Sequence, residues 1–347
     1  MTRSPTVSVI IAAYNVEDVV GRAIESALSQ TAPPLEIIVA DDGSRDGTVE
    51  TVRRLAEAHP EIRILSQEPN GGPSRSRNRG LEMARGDWVA VLDADDAWRS
   101  DRLRRLLEIA AATGADYVAD NLTFFDLAAA RETGPAFQAD WEYLSLDVEM
   151  LLRSEFPSSA AKFPLGMMKP LVRRAFLEEK GLRYDERLRT QEDLLFTAEV
   201  MALGGRAVLT PEPLYIYSLP IGALSNRLSP HSHTYGYPSA PVAKAFEEFL
   251  ERHGPELSPG ARTWAEACQR KYSLYASAQE AKVLRHAGRP VAYLGYVGAR
   301  PALAGMLIRS LLVRAGRRAR ALAVRLRLAS PDKSAQLYRR RSTAAMS

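Results

Sequence analysis

Val7-Ser8-Val9-Ile10-Ile11-Ala12-Ala13-Tyr14-Asn15 decides the fold. Val7–Ala13 is an apolar run of the kind expected of a strand buried on both faces. Tyr14-Asn15 ends it on polar groups. Asn15 then offers a helix N-cap with Asp18 three residues on, a start like a capping box. Val19, Ala23, Ile24, Ala27 and Leu28 follow at helical spacing. Outward from this unit the two periods keep alternating. Glu36–Ala40, Ile62–Leu65, Trp88–Leu92 and Tyr117–Ala119 read as strands, and Thr48–Ala58, Ser74–Ala84 and Arg99–Ala112 as helices. That order predicts an α/β fold: a mostly parallel sheet with helices on both faces. Beyond residue 120 the pattern weakens. Leu171–Lys180 and Glu192–Leu203 read as helices, Tyr215–Ser225 as a short strand leading into a loop, and Ser239–Arg252 and Pro259–Gly288 as helices outside the sheet.

Ligands of such sheets gather at the carboxyl ends of the strands. Four polar clusters fall there: Tyr14-Asn15, Asp41-Asp42-Gly43-Ser44, Asn70–Ser76 and Asp93–Asp96. In Asp93-Ala94-Asp95-Asp96 three carboxylates within four residues repel one another unless a cation lies among them. Mg²⁺ or Mn²⁺ suits such oxygen ligands and commonly bridges carboxylates to substrate phosphates. If the segment stays extended, Asp93 and Asp95 point to the same side. A carboxylate of the Asp41-Asp42 pair can accept hydrogen bonds from a base or ribose. The helix opening at Asn70–Ser74 bears Arg75, Arg77 and Arg79, and its first backbone N–H groups favour an anion.

The 347 residues carry one cysteine, Cys268, which rules out an intramolecular disulfide and a cysteine-based zinc site. Arg3 and the run Val7–Ala13 do not make a signal peptide, and no apolar stretch reaches the length of a membrane span, so a cytoplasmic protein is expected. The net charge of +4 is uneven. From Arg300 to Ser347 eleven arginines and Lys333 face one acidic residue, Asp332, a net +11 that leaves −7 for the rest. Arg309, Arg314, Arg317, Arg318, Arg320, Arg325 and Arg327 cluster over half a helical wheel, with Ile308, Leu311, Leu312, Leu322 and Leu326 on the other half. This suits an anionic membrane surface, and no nucleic-acid partner is expected because no recognised binding fold accompanies the charge.

Val7–Asn15, Asp41–Ser44, Gly72–Gly80 and Leu92–Asp96, in this order and spacing, resemble the family 2 glycosyltransferases over roughly residues 6–225, and most of all those of exopolysaccharide assembly such as succinoglycan glucosyltransferases. The resemblance implies the GT-A fold, a Rossmann-like domain with an appended acceptor-binding half. It implies that Tyr14 and Asp42 hold the uracil ring, that Arg77 and Asp93 contact the nucleotide sugar, and that Asp95 is the direct metal ligand, with Asp96 as the alternative. It implies that Asp193, in the Glu192-Asp193 pair, is the catalytic base. The expected organisation is a catalytic domain over residues 1–225, a helical extension over 226–299 and a basic amphipathic tail over 300–347. The implied activity is inverting transfer of a hexose, glucose first, from a UDP-sugar to a lipid-linked oligosaccharide, with Mn²⁺ or Mg²⁺ and with peripheral contact at the inner membrane face.

Two departures from the family pattern stand out. The Gln-x-x-Arg-Trp motif of processive members is absent, which favours a single addition. Tyr217-Ser218-Leu219 lacks the arginine often found after the tyrosine, and Ser225-Asn226-Arg227 with His231 and His233 are the nearby substitutes. A sugar-phosphate nucleotidyltransferase would want a glycine-rich phosphate loop after the first strand, where this chain has Ala12-Ala13-Tyr14-Asn15. A non-catalytic scaffold would tolerate loss of Asp95 or Asp193, and both are present.

Overall fold

The computed structural model describes residues 4–156, 163–219 and 237–309. They fall into two compact units, Met1–Ala276 and Ser277–Ser347. In the first, β1 (Val7–Ala13), α1 (Val20–Leu28), β2 (Glu36–Asp41), α2 (Thr48–Ala58), β3 (Ile62–Ser66), α3 (Pro73–Met83) and β4 (Trp88–Asp93) alternate within a residue or two of the expected bounds. There follow β5 (Ala97–Trp98), α4 (Arg102–Thr113), β6 (Tyr117–Asp126), β7 (Arg131–Pro135), β8 (Leu144–Leu146), α5 (Val148–Ser154), β9 (Leu171–Arg173), α6 (Arg174–Glu179), α7 (Glu192–Ala202) and β10 (Ala207–Leu219). Two more helices, α8 (Ala240–His253) and α9 (Pro259–His286), come after the sheet, and α9 runs on past the end of the first unit.

The sheet order is β3-β2-β1-β4-β9-β6-β10-β5, with β7 on β6 and β8 on β10. Strands β3, β2, β1 and β4 are parallel, as are β6 and β10; β9 runs antiparallel between β4 and β6. All six residues of β2 and all but one of β1 are buried, which is why both read as continuous apolar runs. Register sets the site. Ala13 lies beside Asp41 and Ala12 beside Asp93, so the polar residues that end β1, β2 and β4 share one edge. Helix α3 lies close on β1: a Cβ at Gly80 would stand 2.5 Å from Ile10 Cγ2.

Several expectations are corrected. Asn15 does not cap α1. It has φ +52°, its Oδ1 accepts from the Arg45 N–H, and it ties the β1 end to the loop after β2. Leu171–Arg173 is not helical, because it fills the gap between β4 and β6 as a strand. The strand expected from Tyr215 begins at Ala207, and its Pro211 and Pro213 sit where the pairing with β6 shifts register. Ala240–His253 and α9 as far as Ala276 lie in the same compact unit as the sheet, with Phe246 stacked on Tyr272 at 5.8 Å. The second unit holds the end of α9, α10 (Pro290–Gly298) and α11 (Pro301–Arg309).

Candidate active site

Five charged side chains meet where β4 ends and α3 and α7 begin, at the edge shared by the ends of β1, β2 and β4. Arg77, on α3, is 3% exposed; its Nη2 lies 2.8 Å from Asp93 Oδ1 and its Nη1 2.8 Å from Glu192 Oε1. Lys169, just ahead of β9, reaches Asp93 Oδ2 at 2.8 Å and Asp193 Oδ2 at 2.5 Å. Asp193 Oδ1 is 3.1 Å from Arg77 Nη1 but is not aligned with it, so this buried oxygen makes no hydrogen bond among the described residues. Two cations thus hold three carboxylates drawn from positions 93, 192 and 193. Burial pushes the Asp93 carboxyl up, but the Lys169 ammonium and the Arg77 guanidinium outweigh it and hold the group well below the usual carboxylate range. Burial opposes the charge on Lys169, and Asp193 and Asp93 more than restore it.

The local chain makes this possible. Gln191 takes a left-handed φ of +64°, rare for a residue with a side chain, and turns the backbone so that Glu192 and Asp193 enter the first turn of α7. There the helix dipole favours their negative charge. On the other side Gly72, at φ +90°, opens α3. A Cβ there would meet Arg189, whose Nη1 donates to Asn70 Oδ1.

Asp93–Asp96 does not stay extended. The Asp96 N–H bonds back to the Asp93 carbonyl at 3.1 Å and the segment closes as a turn. That separates the two candidate metal ligands. Asp96 points into the protein, where it accepts from the Tyr215 hydroxyl and the Ser218 N–H, each at 2.8 Å. Burial and the nearby Asp95 and Asp93 raise its pKa well above the usual range. Asp95 is exposed, as its neighbours in the turn are not, and has no ion pair among the described residues. Crowding by protein and the Asp93 charge push its carboxyl up to about 6.

A divalent cation fits this donor set. Counted as ionised, the five-residue cluster keeps one surplus negative charge and Asp95 adds another. Among the described residues no three His, Cys, Asp or Glu side chains form a metal cage. Asp95 would therefore be a single protein ligand, with diphosphate oxygens supplying others. A consequence concerns pH. A carboxyl with a raised pKa stabilises the fold fully below its unfolded value of 3.8 and loses that contribution as pH rises through about 6. A cation beside Asp95 would remove the loss. Mn²⁺ is thus expected to raise the melting temperature more at pH 7 than at pH 5, measured by thermal scans with and without the ion. Equal shifts at the two values would place the ion elsewhere.

The remaining expected residues sit nearby. Tyr14 is 46% exposed at the end of β1. Asp42 is buried, and its carboxylate accepts from the Gly71 N–H and the Gly72 N–H, each at 2.7 Å, and from Gln67. It therefore shapes the loop that opens α3, with acceptor capacity left over. Ser225-Asn226-Arg227, His231 and His233 lie outside the described residues, as does the tail beyond Arg309.

Three participants escaped the sequence reading. Lys169 is the only charged residue in Phe163–Val172, a run apolar enough to mark it as a buried lysine in need of partners. Arg22 donates to the Asp95 carbonyl at 3.1 Å and to Ser218 Oγ, pinning the Asp93–Asp96 turn to α1 and β10. Arg102 is wholly buried with Asp120. It lies between the rings of Trp98 and Tyr215 and donates to the Lys169 carbonyl at 2.8 Å. Spacing gave no signal for it, since Asp120, Lys169 and Tyr215 come from three separate segments.

Residues 8–148 match the family model described as glycosyl transferase family 2. The chain is 40% identical over 230 residues to the succinoglycan biosynthesis protein ExoO of Rhizobium meliloti (strain 1021), covering 65% of this chain and 64% of that one. It is 31% identical over 248 residues to EpsJ of Bacillus subtilis (strain 168), described as an uncharacterized glycosyltransferase, covering 72% of this chain and 67% of that one. The chain belongs to glycosyltransferase family 2. It spans less than two thirds of the length of the succinoglycan proteins it matches, 64% of ExoO and 59% of ExoU. Among solved structures it resembles TarS 1-349 of S. aureus in complex with UDP-GlcNAc, with a TM-score of 0.57, 19% identity, and 81% and 73% of the two chains covered. It also resembles the mannosyltransferase PcManGT of Pyrobaculum calidifontis in complex with GDP-Man and Mn²⁺, with a TM-score of 0.54, 19% identity, and 90% and 81% covered. At this identity the likeness is one of fold, the GT-A architecture.

Proposed function

We propose that the protein transfers a hexose, glucose first, from a UDP-sugar to a lipid-linked oligosaccharide during exopolysaccharide assembly, with inversion at the anomeric carbon and one addition per encounter. The observation that carries this reading is Asp193 Oδ1, a buried carboxylate oxygen without a hydrogen bond among the described residues, 3.1 Å from the guanidinium that also holds Asp93. An acceptor hydroxyl donating to that oxygen would satisfy it. As the sugar is attacked, Asp193 takes the proton. Lys169 and Arg77 hold the base in place and keep Asp93 ionised on the donor side. Tyr14 and Asp42 take the uracil ring, and Arg77 and Asp93 border the nucleotide sugar. Asp95 holds Mn²⁺ or Mg²⁺, which when bound neutralises the departing diphosphate.

The name of ExoO supports an exopolysaccharide product. The two solved neighbours carry different nucleotides, so the fold leaves the donor open, and the resemblance in the uracil-binding residues favours UDP. The work is placed at the cytoplasmic face of the membrane, where the basic tail would meet anionic lipid. Product stereochemistry tests the inversion. With an α-linked UDP-hexose the product is expected to be β-linked by NMR, and an α-linked product would remove Asp193 from the role of direct base.

A further inference from the structure

Residues 290–309 carry two charges, Arg300 and Arg309, in twenty positions. A straight helix of that composition would be taken for a membrane span. Here α10 and α11 are bent by 108° from one another, and no single described helix is long and apolar enough to cross a membrane. Each arm has nine residues, about 14 Å at 1.5 Å per residue, far short of the roughly 30 Å hydrocarbon core. Yet the apolar side chains are not turned inward. Helix α10 has no charged residue and no buried one. Val291 is 84% exposed and Leu294, one turn on, is 67% exposed, with Ile308 and Val283 similarly uncovered. Leu303 is buried, so α11 is anchored while its end stays open. Arg300, at the bend, folds over the Tyr296 ring at 3.7 Å.

We propose that α10 and α11 bed into the surface of an anionic lipid bilayer, lying in the interface rather than crossing it. Charge selects that occupant. From residue 281 to residue 331 there are eleven lysines and arginines and no acidic residue at all. A second copy of the same face would bring two such stretches together and repel. A neutral apolar partner would leave the charges unused. An anionic headgroup layer above an acyl boundary satisfies both features: it attracts the basic residues and takes up Val291, Leu294 and Ile308. Tyr293 and Tyr296 have the amphipathic rings that settle at headgroup level. The result would hold the enzyme where a lipid-linked acceptor is found, and in that respect the inference rests on the proposed acceptor.

The test is flotation of the full chain with vesicles of phosphatidylcholine alone or mixed with phosphatidylglycerol, at physiological salt. It uses wild type and a Val291→Glu, Leu294→Glu double variant, with donor hydrolysis in vesicle-free solution measured alongside. Wild type is expected to float with the mixed vesicles. The variant should bind them about tenfold more weakly or worse, with donor hydrolysis unchanged because neither residue belongs to the active site. The proposal is overturned if wild type ignores the anionic vesicles, or if the double variant binds as well as wild type. It is overturned equally if wild type ignores vesicles and sediments as a dimer that the variant converts to monomer. A wild type that floats but hydrolyses no nucleotide sugar would sink the transfer reading and leave this one standing.

Discussion

Asp193→Asn is expected to lower kcat by about a thousandfold, inside the range of general-base contributions, while the Kd for the nucleotide sugar stays within about threefold. The asparagine keeps the shape of the side chain and can still meet Lys169 and Arg77 at the helix start. What it loses is the ability to take a proton from an acceptor hydroxyl. The separation of the two constants is the informative part. Among the described residues Asp193 is ion-paired with Lys169 and Arg77 alone, so removing its charge should leave the proposed nucleotide pocket in place. Steady-state transfer kinetics and nucleotide-sugar titration, run on the same preparation, decide it. A variant that transfers at more than a tenth of the wild-type rate would move the base elsewhere, with Glu192 the first candidate by position.

Lys169→Met is expected to cost stability as well as activity. The lysine is buried and bridges two carboxylates. Methionine fills a similar volume but leaves Asp93 and Asp193 with only Arg77 between them. Removing one partner of a buried ion pair costs about 3–5 kcal/mol. For a domain of this size that is roughly 6–20 °C in melting temperature. The sign with pH follows from Asp93. Its carboxyl is held below the ordinary range, so its contribution is present above the unfolded value of 3.8 and lost as pH falls below it. The variant should therefore lose most at neutral pH and least in acid, read by thermal scans across pH. A melting temperature within about 2 °C of wild type at pH 7, the shift expected from roughly half to one kcal/mol, would show that Lys169 is not the bridge described.

Much of the fold was legible because the parallel half of the sheet is buried on both faces. β1, β2 and β4 announce themselves as short apolar runs, and the helices between them carry clean 3.6-residue stripes, as Val20, Ala23, Ile24 and Ala27 do. The second half was harder. β9 contributes three residues, too few for any period, and the run from Leu171 to Lys180 contains enough apolar residues to pass as one helix. Ala207–Leu219 hid because two prolines interrupt it. For the site, the strand-end rule pointed to the edge where the charged cluster gathers, and the family motifs named Asp93, Asp95 and Asp193. The motifs left Asp95 and Asp96 undecided. The turn settles their directions, since Tyr215 and Ser218 capture Asp96 from a strand 120 residues away, a pairing that no local pattern encodes. Lys169 and Arg22 were invisible for the same reason: each acts across long sequence separations on residues the motifs had already marked, whereas Arg102 touches no motif residue and reaches the cluster through the Lys169 carbonyl.

The central claim is that this edge binds a nucleotide sugar through a metal held by Asp95. Donor binding and hydrolysis across a panel of UDP- and GDP-sugars, with and without Mn²⁺, for wild type and Asp95→Ala, test it most directly. Metal-dependent turnover of one UDP-hexose by wild type, abolished in Asp95→Ala with the fold intact, is the predicted result. A folded wild type that binds no nucleotide sugar in the presence of metal would contradict the account and leave a protein that keeps the architecture of a transferase without its chemistry.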